Sequence, residues 1–208
     1  MSYTKFNVLY YLRVGKKHEN MFVFLCVLWY NPHINRKVVK MTGKTHSAAG
    51  ILIGVEVGIH FQLDIFEMAT CIVISGLASI FPDICHTRSK IGQRLPLMSH
   101  IIKHLFGHRT FTHSLLFMLG VYYLLHMIET PIYYMIGIIC GMLSHVILDM
   151  LTPRGVHLFF PIPIRIRFPI HFKTGGTIDL SLATTFGLVT LYVLFESTMK
   201  QILNYFLQ

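Results

Sequence analysis

Charged side chains are scarce in this chain: Asp, Glu, Lys and Arg together make up 13% of its 208 residues. Soluble domains carry about 25% charged residues, so this chain has too few to cover a water-soluble globule. The hydrophobic fraction is 53%, and the apolar residues gather in long blocks of the kind that cross bilayers. This composition excludes an ordinary soluble domain and indicates an integral membrane protein.

Cysteine is also rare, with four copies and no C-x-x-C spacing. This pattern excludes both a disulfide framework and a thiolate zinc ribbon. Three of the four cysteines lie within apolar runs. The exception is Cys85, which stands between Asp83 and His86 and is the one cysteine placed to take part in chemistry.

The net charge of +9 would suggest a nucleic-acid partner if the basic residues formed one surface. They do not, and no nucleic-acid binding is expected. Seven of the eighteen basic residues fall within residues 1–40, around an apolar run at 21–30. That run is too short to cross a membrane, which takes about 20 residues, and no small-residue cleavage site follows it. We interpret 1–40 as a basic N-terminal extension, either an interfacial segment or translated sequence ahead of a natural start at Met41, and 41–208 as the membrane domain.

Five apolar runs follow, separated by short polar connections. They predict an all-α integral membrane bundle of about five transmembrane helices. Glycines at 50, 54 and 58 form a small-residue ridge on the first helix, which allows close packing on a neighbour. Within the first helix, Glu56 is predicted to make a hydrogen-bonded contact inside the bundle. The five runs are 47–62, 66–82, 112–128, 132–151 and 180–197.

The orientation follows from the basic residues beyond Met41. Nine of these eleven lie in the loops 83–111 and 152–179, which places both loops in the cytoplasm. We therefore predict a multi-pass protein of the plasma (inner) membrane. The segment 161–173 alternates apolar and basic residues between prolines, which predicts an extended or hairpin segment on the inner leaflet; a plain connector is the alternative.

Imidazole and carboxylate side chains cluster at the predicted cytoplasmic ends of these helices. His145 and Asp149 are four residues apart, on one face of the fourth helix, and an ionisable pair within a span is costly unless it is paired or ligated. Two further pairs, spaced by three and five residues, can converge in a helix or tight turn. Because the chain has thirteen histidines, chance and a structural His145–Asp149 hydrogen bond are the alternatives. The candidate metal ligands are His46, Asp83, His86, His108, His113, His145 and Asp149.

Seven such donors are too many for one tetrahedral zinc ion and suit two divalent ions. Two-metal sites activate water and hold a phosphoryl oxygen. Arg109 would clamp a phosphate, so Arg109 and Asp83 are the predicted catalytic residues. Asp179, which follows Gly175-Gly176-Thr177, is predicted to cap the fifth helix in preference to binding metal.

The motifs Thr45-His46, Pro82-Asp83-Ile84-Cys85-His86, His108-Arg109 with Thr112-His113-Ser114, and Ser144-His145 through Asp149 and Thr152 resemble the YdjM-like inner-membrane proteins over about 41–197. The resemblance implies a bacterial, LexA-regulated, metal-dependent hydrolase linked to the DNA damage response. That family is distantly similar to zinc-dependent phospholipase C and P1-type nucleases.

One residue departs from the family pattern. The second aspartate of the family's Pro-Asp-x-Asp-His block is Cys85 here. Zinc tolerates a thiol in place of an oxygen ligand, whereas magnesium and manganese do not; alternatively, the site has decayed.

The expected function is hydrolysis of a phosphoester at the cytoplasmic face, using one or two divalent ions, with zinc favoured. A membrane lipid or lipid-linked substrate is expected because the site lies at the membrane surface. The alternative is a non-catalytic metal-binding membrane protein with a stress-response or regulatory role. A metal transporter is a third option, which the absence of ligands at mid-membrane depth disfavours.

Overall fold

The computed structural model describes residues 43–107, 109–169 and 176–207. The N-terminal extension predicted for 1–40 and the predicted ligand His108 lie outside these residues. The described part is all-α, as predicted, and forms no strand. Its helices are α1 (Gly43–His60), α2 (Ile65–Ala78), α3 (Lys90–Arg94), α4 (Pro96–Phe106), α5 (Leu115–Met127), α6 (Ile132–Met150) and α7 (Thr177–Phe206), with 3-10 turns at Phe81–Cys85 and Phe111–His113.

The five predicted apolar helices correspond to α1, α2, α5, α6 and α7. Among the described residues, three segments are long and apolar enough to cross a membrane: Ile65–Cys85, Ile132–Met150 and Thr177–Leu203. The other two do not qualify. α5 has only 13 residues, and α1 carries Lys44, His46, Glu56 and His60 within its 18 residues. Apolar helices thus occupy all five predicted positions, three of them long and apolar enough to span a membrane and two shorter or more polar.

Glycines on α1 and α6 allow both helices to pack closely on α2. A Cβ on Gly54 of α1 would lie 2.5 Å from the Cα of Ile72 in α2, and a Cβ on Gly141 of α6 would lie 2.6 Å from the carbonyl oxygen of Ser75. A Cβ on Gly50 or Gly58 would lie 2.5 or 2.9 Å from side-chain atoms of Ser79 or Met68, respectively. The predicted ridge on the first helix is thus confirmed, and α1, α2 and α6 pack on one another.

The loop between α2 and α5 contains two short helices, α3 and α4. After the 3-10 turn, Ser89 caps α3 by accepting a hydrogen bond from Gly92 N at 3.0 Å, and its hydroxyl contacts the carbonyl oxygens of Asp83 and His86 at 2.8 Å. α4 follows and exposes the apolar residues Leu97 and Leu105. Ser89 therefore fixes the segment that carries the predicted ligand Asp83.

The segment after α6 folds back on itself. Val156 and Ile166 form an antiparallel bridge, with N-to-O distances of 3.0 and 2.8 Å. The described part of the alternating stretch thus turns back on the segment that follows α6, while residues 170–173 lie outside the described residues. Val156 is fully buried against the core that Met118, Met142 and Val146 form, so the hairpin is anchored to the bundle.

Two predictions about single acidic residues were wrong. Asp179 does not cap α7, which begins after Gly176 without a side-chain cap. Instead its carboxylate accepts a hydrogen bond from Thr45 Oγ1, and both residues are fully buried, so Asp179 joins α7 to α1. Glu56 is exposed on the outer face of α1, because the Gly50, Gly54 and Gly58 ridge, on another face, is the one that packs inward.

Candidate metal centre

Five of the predicted ligands lie together where the helices meet. His46 is in the first turns of α1, His145 and Asp149 are near the end of α6, and Asp83 and His113 come from the two 3-10 turns. All except Asp83 are buried, with His113 and His145 fully enclosed. One end of the bundle thus holds a compact cluster of imidazole and carboxylate groups.

Three of these side chains direct lone-pair atoms toward one another. His145 Nε2 lies 3.2 Å from His113 Nε2 and 3.6 Å from Asp149 Oδ2, and His113 Nε2 lies 3.2 Å from the same Oδ2. Ligand atoms at the corners of a tetrahedron around zinc, at about 2.0–2.1 Å from the ion, lie about 3.3–3.4 Å apart. The three atoms therefore have the spacing of a zinc ligand set.

The His145 ring is held in the tautomer that a metal ligand needs. Its Nδ1 lies 2.6 Å from the carbonyl oxygen of Ser79. A carbonyl can only accept, so Nδ1 carries the proton and donates, which leaves a lone pair on Nε2 of the neutral ring. A backbone carbonyl on the distal nitrogen is the usual partner of a metal-ligating histidine.

Arg109 and Thr152 orient Asp149. Arg109 donates from Nη2 to Asp149 Oδ1 at 2.5 Å and from Nη1 to Thr152 Oγ1 at 2.7 Å, and Thr152 Oγ1 donates to the Asp149 carbonyl oxygen at 2.7 Å. With Oδ1 engaged, Oδ2 is turned toward the histidines. The guanidinium predicted to clamp a phosphate is thus bonded to the candidate metal ligand Asp149, and Arg109 is only 5% exposed.

The environment of His113 favours positive charge. Burial alone would lower the pKa of this imidazole, but contacts with Asp149 and with the thiol of Cys85 outweigh it and raise the pKa to about 9. The Asp149 carboxylate next to this ring attracts a cation, whether a proton or a metal ion. His113 Nδ1 also lies 3.0 Å from Thr112 Oγ1.

His46 packs against the other candidate ligands. Its ring stacks on that of His145 with the centroids 3.9 Å apart, and its Nε2 lies 3.8 Å from Asp149 Oδ1. His46 Nδ1 is buried and makes no hydrogen bond within the described part of the chain. A buried polar atom without such a partner is costly, and coordination to a divalent ion would satisfy it, so the residues fit a metal.

The donors form two groups that share a residue. His46, His145 and Asp149 form one, and Asp83, His113 and His145 form the other; within each, one ligand atom per residue lies within 4.8 Å of the others. Neither group includes His86, which ends the 3-10 turn and is half-buried. Cys85 is buried beside His113 but also belongs to neither group.

Sequence reasoning missed the partners that orient the ligands. The bond from His145 to the Ser79 carbonyl could not be predicted from residue types, because every residue has a backbone carbonyl. Thr152 is three residues from Asp149 on the chain, and this short spacing was the signal that the two residues could contact each other. The Thr45–Asp179 bond, which fixes the α1 turn that bears His46, joins residues 134 positions apart and could not be read from local spacing.

Comparison with known proteins gives a consistent assignment. The family described as "YdjM inner membrane protein" matches residues 41–206. The chain is 42% identical over 136 residues to the uncharacterized protein YvsG of Bacillus subtilis, covering 65% of this chain and 83% of that protein. It is 46% identical over 109 residues to the inner membrane proteins YdjM of Escherichia coli and Shigella flexneri.

The alignments to the two YdjM proteins cover 48% of this chain and 54% of those proteins, so the chain spans about half the length of these relatives. No solved structure matches. The family match includes every described ligand, and the described part contains three segments able to span a membrane. The chain is therefore a membrane protein that belongs to the YdjM inner membrane protein family.

Proposed function

We propose that this protein is a membrane-bound, metal-dependent hydrolase of a phosphoester, with its site at the cytoplasmic face. The observation that carries the proposal is the convergence of His113 Nε2, His145 Nε2 and Asp149 Oδ2 at 3.2–3.6 Å. A bound divalent ion would supply Lewis-acid activation of water and of a phosphoryl oxygen. The remaining steps fall to the residues of the chain.

The protein's own contribution is to hold the donors in place. His145 is fixed by the Ser79 carbonyl, Asp149 by Arg109, and His113 by its contacts with Thr112 and Cys85. The nitrogen-rich donor set favours zinc over magnesium or calcium. Two donor groups that share His145 are compatible with either one ion or two.

The position of the site supports a lipid or lipid-linked substrate. The ligands lie at the ends of two candidate membrane spans, Ile65–Cys85 and Ile132–Met150. The basic loops, which the charge distribution assigns to the cytoplasm, lie at the same end. A phosphoester carried by a lipid would reach this depth without leaving the membrane surface.

A second candidate is a non-catalytic metal-binding protein with a regulatory role, such as the DNA-damage-linked role that the family resemblance implies. Two observations favour it. The Arg109 guanidinium is bonded to Asp149 and Thr152 and so is not turned toward a substrate. Cys85 stands where the family carries an aspartate, which removes one oxygen donor.

Metal analysis joined to an activity assay tests the proposal. Detergent-purified protein should contain zinc and hydrolyse a phosphodiester or phospholipid reporter in a chelator-sensitive way. His145→Ala should lose both metal and activity, because it removes the residue shared by both donor groups. His100→Ala is the matched control: this exposed histidine of α4, whose Nδ1 lies 2.7 Å from the Pro96 carbonyl oxygen, belongs to neither donor group, and the variant should behave as wild type.

The outcomes separate the two candidates. Metal bound at wild-type level with no hydrolysis across a broad panel of phosphoesters would favour the regulatory alternative. Full metal occupancy in His145→Ala would show that metal does not bind at this cluster, and it would contradict both candidate functions.

A further inference from the structure

A groove of about 680 Å³ lies between α5, α6 and the hairpin that follows α6. Leu119 and Tyr122 of α5 line one wall, Leu143 of α6 lines another, and Phe159 and Ile162 of the hairpin form the third. Every residue in its lining is apolar or aromatic. Groove-facing side chains such as Leu119 and Ile162 are more than half exposed, so the groove is open along its length.

One end of the groove lies close in the chain to the candidate ligand His113. Leu115, the first residue of α5 and part of the lining, is two residues after the ligand His113, and its N–H donates to the carbonyl oxygen of Leu158 at 2.9 Å. From Leu115 to Tyr122 the α5 wall rises about 10 Å, at 1.5 Å per residue. The groove therefore runs from the site along a helix of the bundle.

Two arginines on the same hairpin stand beside this end. Arg165 donates from Nε to His157 Nε2 at 2.8 Å, and the His157 N–H donates to the carbonyl oxygen of Arg109 at 3.1 Å. Arg154 is exposed and makes no hydrogen bond or ion pair with any described residue. Partial burial and the charges of Arg109 and Arg165 lower the pKa of Arg154. Positive charge is thus concentrated where the groove meets the metal centre.

We infer that this groove and the adjacent arginines form a binding site for a membrane phospholipid with an anionic headgroup, one acyl chain lying in the groove and the phosphate near Arg154 and Arg165. The inference rests on the proposed function and names its substrate class. An open apolar channel beside a candidate membrane span suits a hydrocarbon chain, and the uncompensated arginines suit a phosphate. The lipid would enter sideways from the bilayer, with its phosphoester delivered toward His113.

Lipid binding to full-length protein, counted by native mass spectrometry, tests the inference. Wild type should retain phosphatidylglycerol in preference to phosphatidylcholine, and glycerol 3-phosphate should not compete, because most of the affinity comes from the buried chain. Leu119→Trp and Ile162→Trp fill the groove from opposite walls, and each should weaken phosphatidylglycerol binding about tenfold or more. Leu124→Trp is the matched control, since Leu124 is an exposed residue of α5 outside the lining.

The charge is tested separately. The double variant Arg154→Gln/Arg165→Gln should bind both lipids with similar affinity, whereas Lys90→Gln/Arg94→Gln, which removes two exposed charges from α3, should keep the preference. Equal binding by Leu119→Trp, Ile162→Trp and Leu124→Trp would overturn the inference, as would effective competition by glycerol 3-phosphate or the absence of any headgroup preference in wild type.

Metal content measured on the same samples keeps the two proposals apart. Protein that holds metal and cleaves a reporter but shows no groove-dependent lipid binding overturns only this inference. Protein that binds lipid in the groove but holds no metal overturns only the proposed hydrolase. Wild-type metal content in the tryptophan variants also shows that they are folded.

Discussion

At the scale of single residues, the structure gives Cys85 a different role from the one that the sequence suggested. As a replacement for a family aspartate it suggested a soft metal ligand or a decayed site. In the structure it is buried, lies outside both donor groups, and contacts the ligand His113. A residue in that place orients a ligand, and loss of such a partner typically lowers metal affinity 10–100-fold.

We therefore expect Cys85→Ala to bind zinc roughly 10–100-fold more weakly than wild type. Cys85→Asp should keep zinc, because a carboxylate can accept the hydrogen bond of the imidazole that it orients. Competition with a chromogenic chelator measures both affinities. Unchanged affinity in Cys85→Ala would make the thiol a bystander, and activity that appears only in Cys85→Asp would mean that the wild-type site has decayed.

Arg109 is the second residue whose role the tertiary structure defines. It has a left-handed backbone with φ of 61°, which is uncommon for a side chain other than glycine. Its guanidinium bridges Asp149 and Thr152, and Nε is buried without a hydrogen-bond partner in the described residues. The strained backbone is held by this buried ion pair.

Arg109→Gln should destabilise the metal-free protein by about 3–5 kcal/mol, because it leaves the Asp149 charge buried without its partner. Arg109→Lys should recover part of this loss, since lysine keeps the charge but not the two-pronged geometry. Saturating zinc should reduce the difference between the variants and wild type, as ligand binding stabilises the folded state. Thermal unfolding in detergent, with and without zinc, measures all three effects. A metal-free Arg109→Gln as stable as wild type would show that the pair is dispensable.

At the scale of elements, α1, α2 and α6 pack on one another, and α7 packs on α1. Glycines of α1 and α6 face α2, so that the backbones of α1 and α2 touch. The ends of α2 and α6 then bring Ser79 to His145, and the 3-10 turn after α2 brings Asp83 to the same place. Close helix packing thus brings the donors of the proposed metal centre together.

Gly54→Ala should cost about 1–3 kcal/mol and reduce zinc affinity, because its Cβ would sit 2.5 Å from the Ile72 Cα and force the helices apart. The matched control is Gly120→Ala in α5, where a Cβ has nothing within 4 Å; this variant should be neutral or slightly more stable. Thermal unfolding and zinc titration of both variants measure the difference. Equal stability and zinc affinity in Gly54→Ala and Gly120→Ala would mean that the close contact between α1 and α2 is not needed.

At the scale of the whole molecule, the candidate spans place all described ligands at one end. The segment Ile65–Cys85 finishes there, Ile132–Met150 finishes there, and α7 begins there. The loops rich in Lys and Arg lie at the same end, which is the end that positive-inside reasoning assigns to the cytoplasm.

Labelling with a membrane-impermeant thiol reagent in intact cells checks the orientation. A cysteine in place of Lys90, an exposed residue of α3, should be protected, while one in place of Glu129, between α5 and α6, should be labelled. The unsubstituted chain gives the background from its own cysteines. Labelling at position 90 from outside would reverse the orientation and place the metal centre on the other face.

The sequence alone determined the helical class, the positions of the apolar helices and the seven candidate ligands, five of which the structure brings together. These follow from composition and short spacings: hydrophobic runs, the i,i+4 pair His145–Asp149, and glycines every four residues. Local periodicity carries such information because it depends only on the geometry of one helix.

Only the tertiary structure decided which donors converge and what holds them. The Arg109–Asp149 pair spans 40 residues, and the Thr45–Asp179 bond spans 134; these partners are set by how α1, α6 and α7 pack. The same packing left His86 outside both donor groups and turned Glu56 outward. A side chain's type fixes the bonds it is able to make, but the distances that decide between partners belong to the folded bundle.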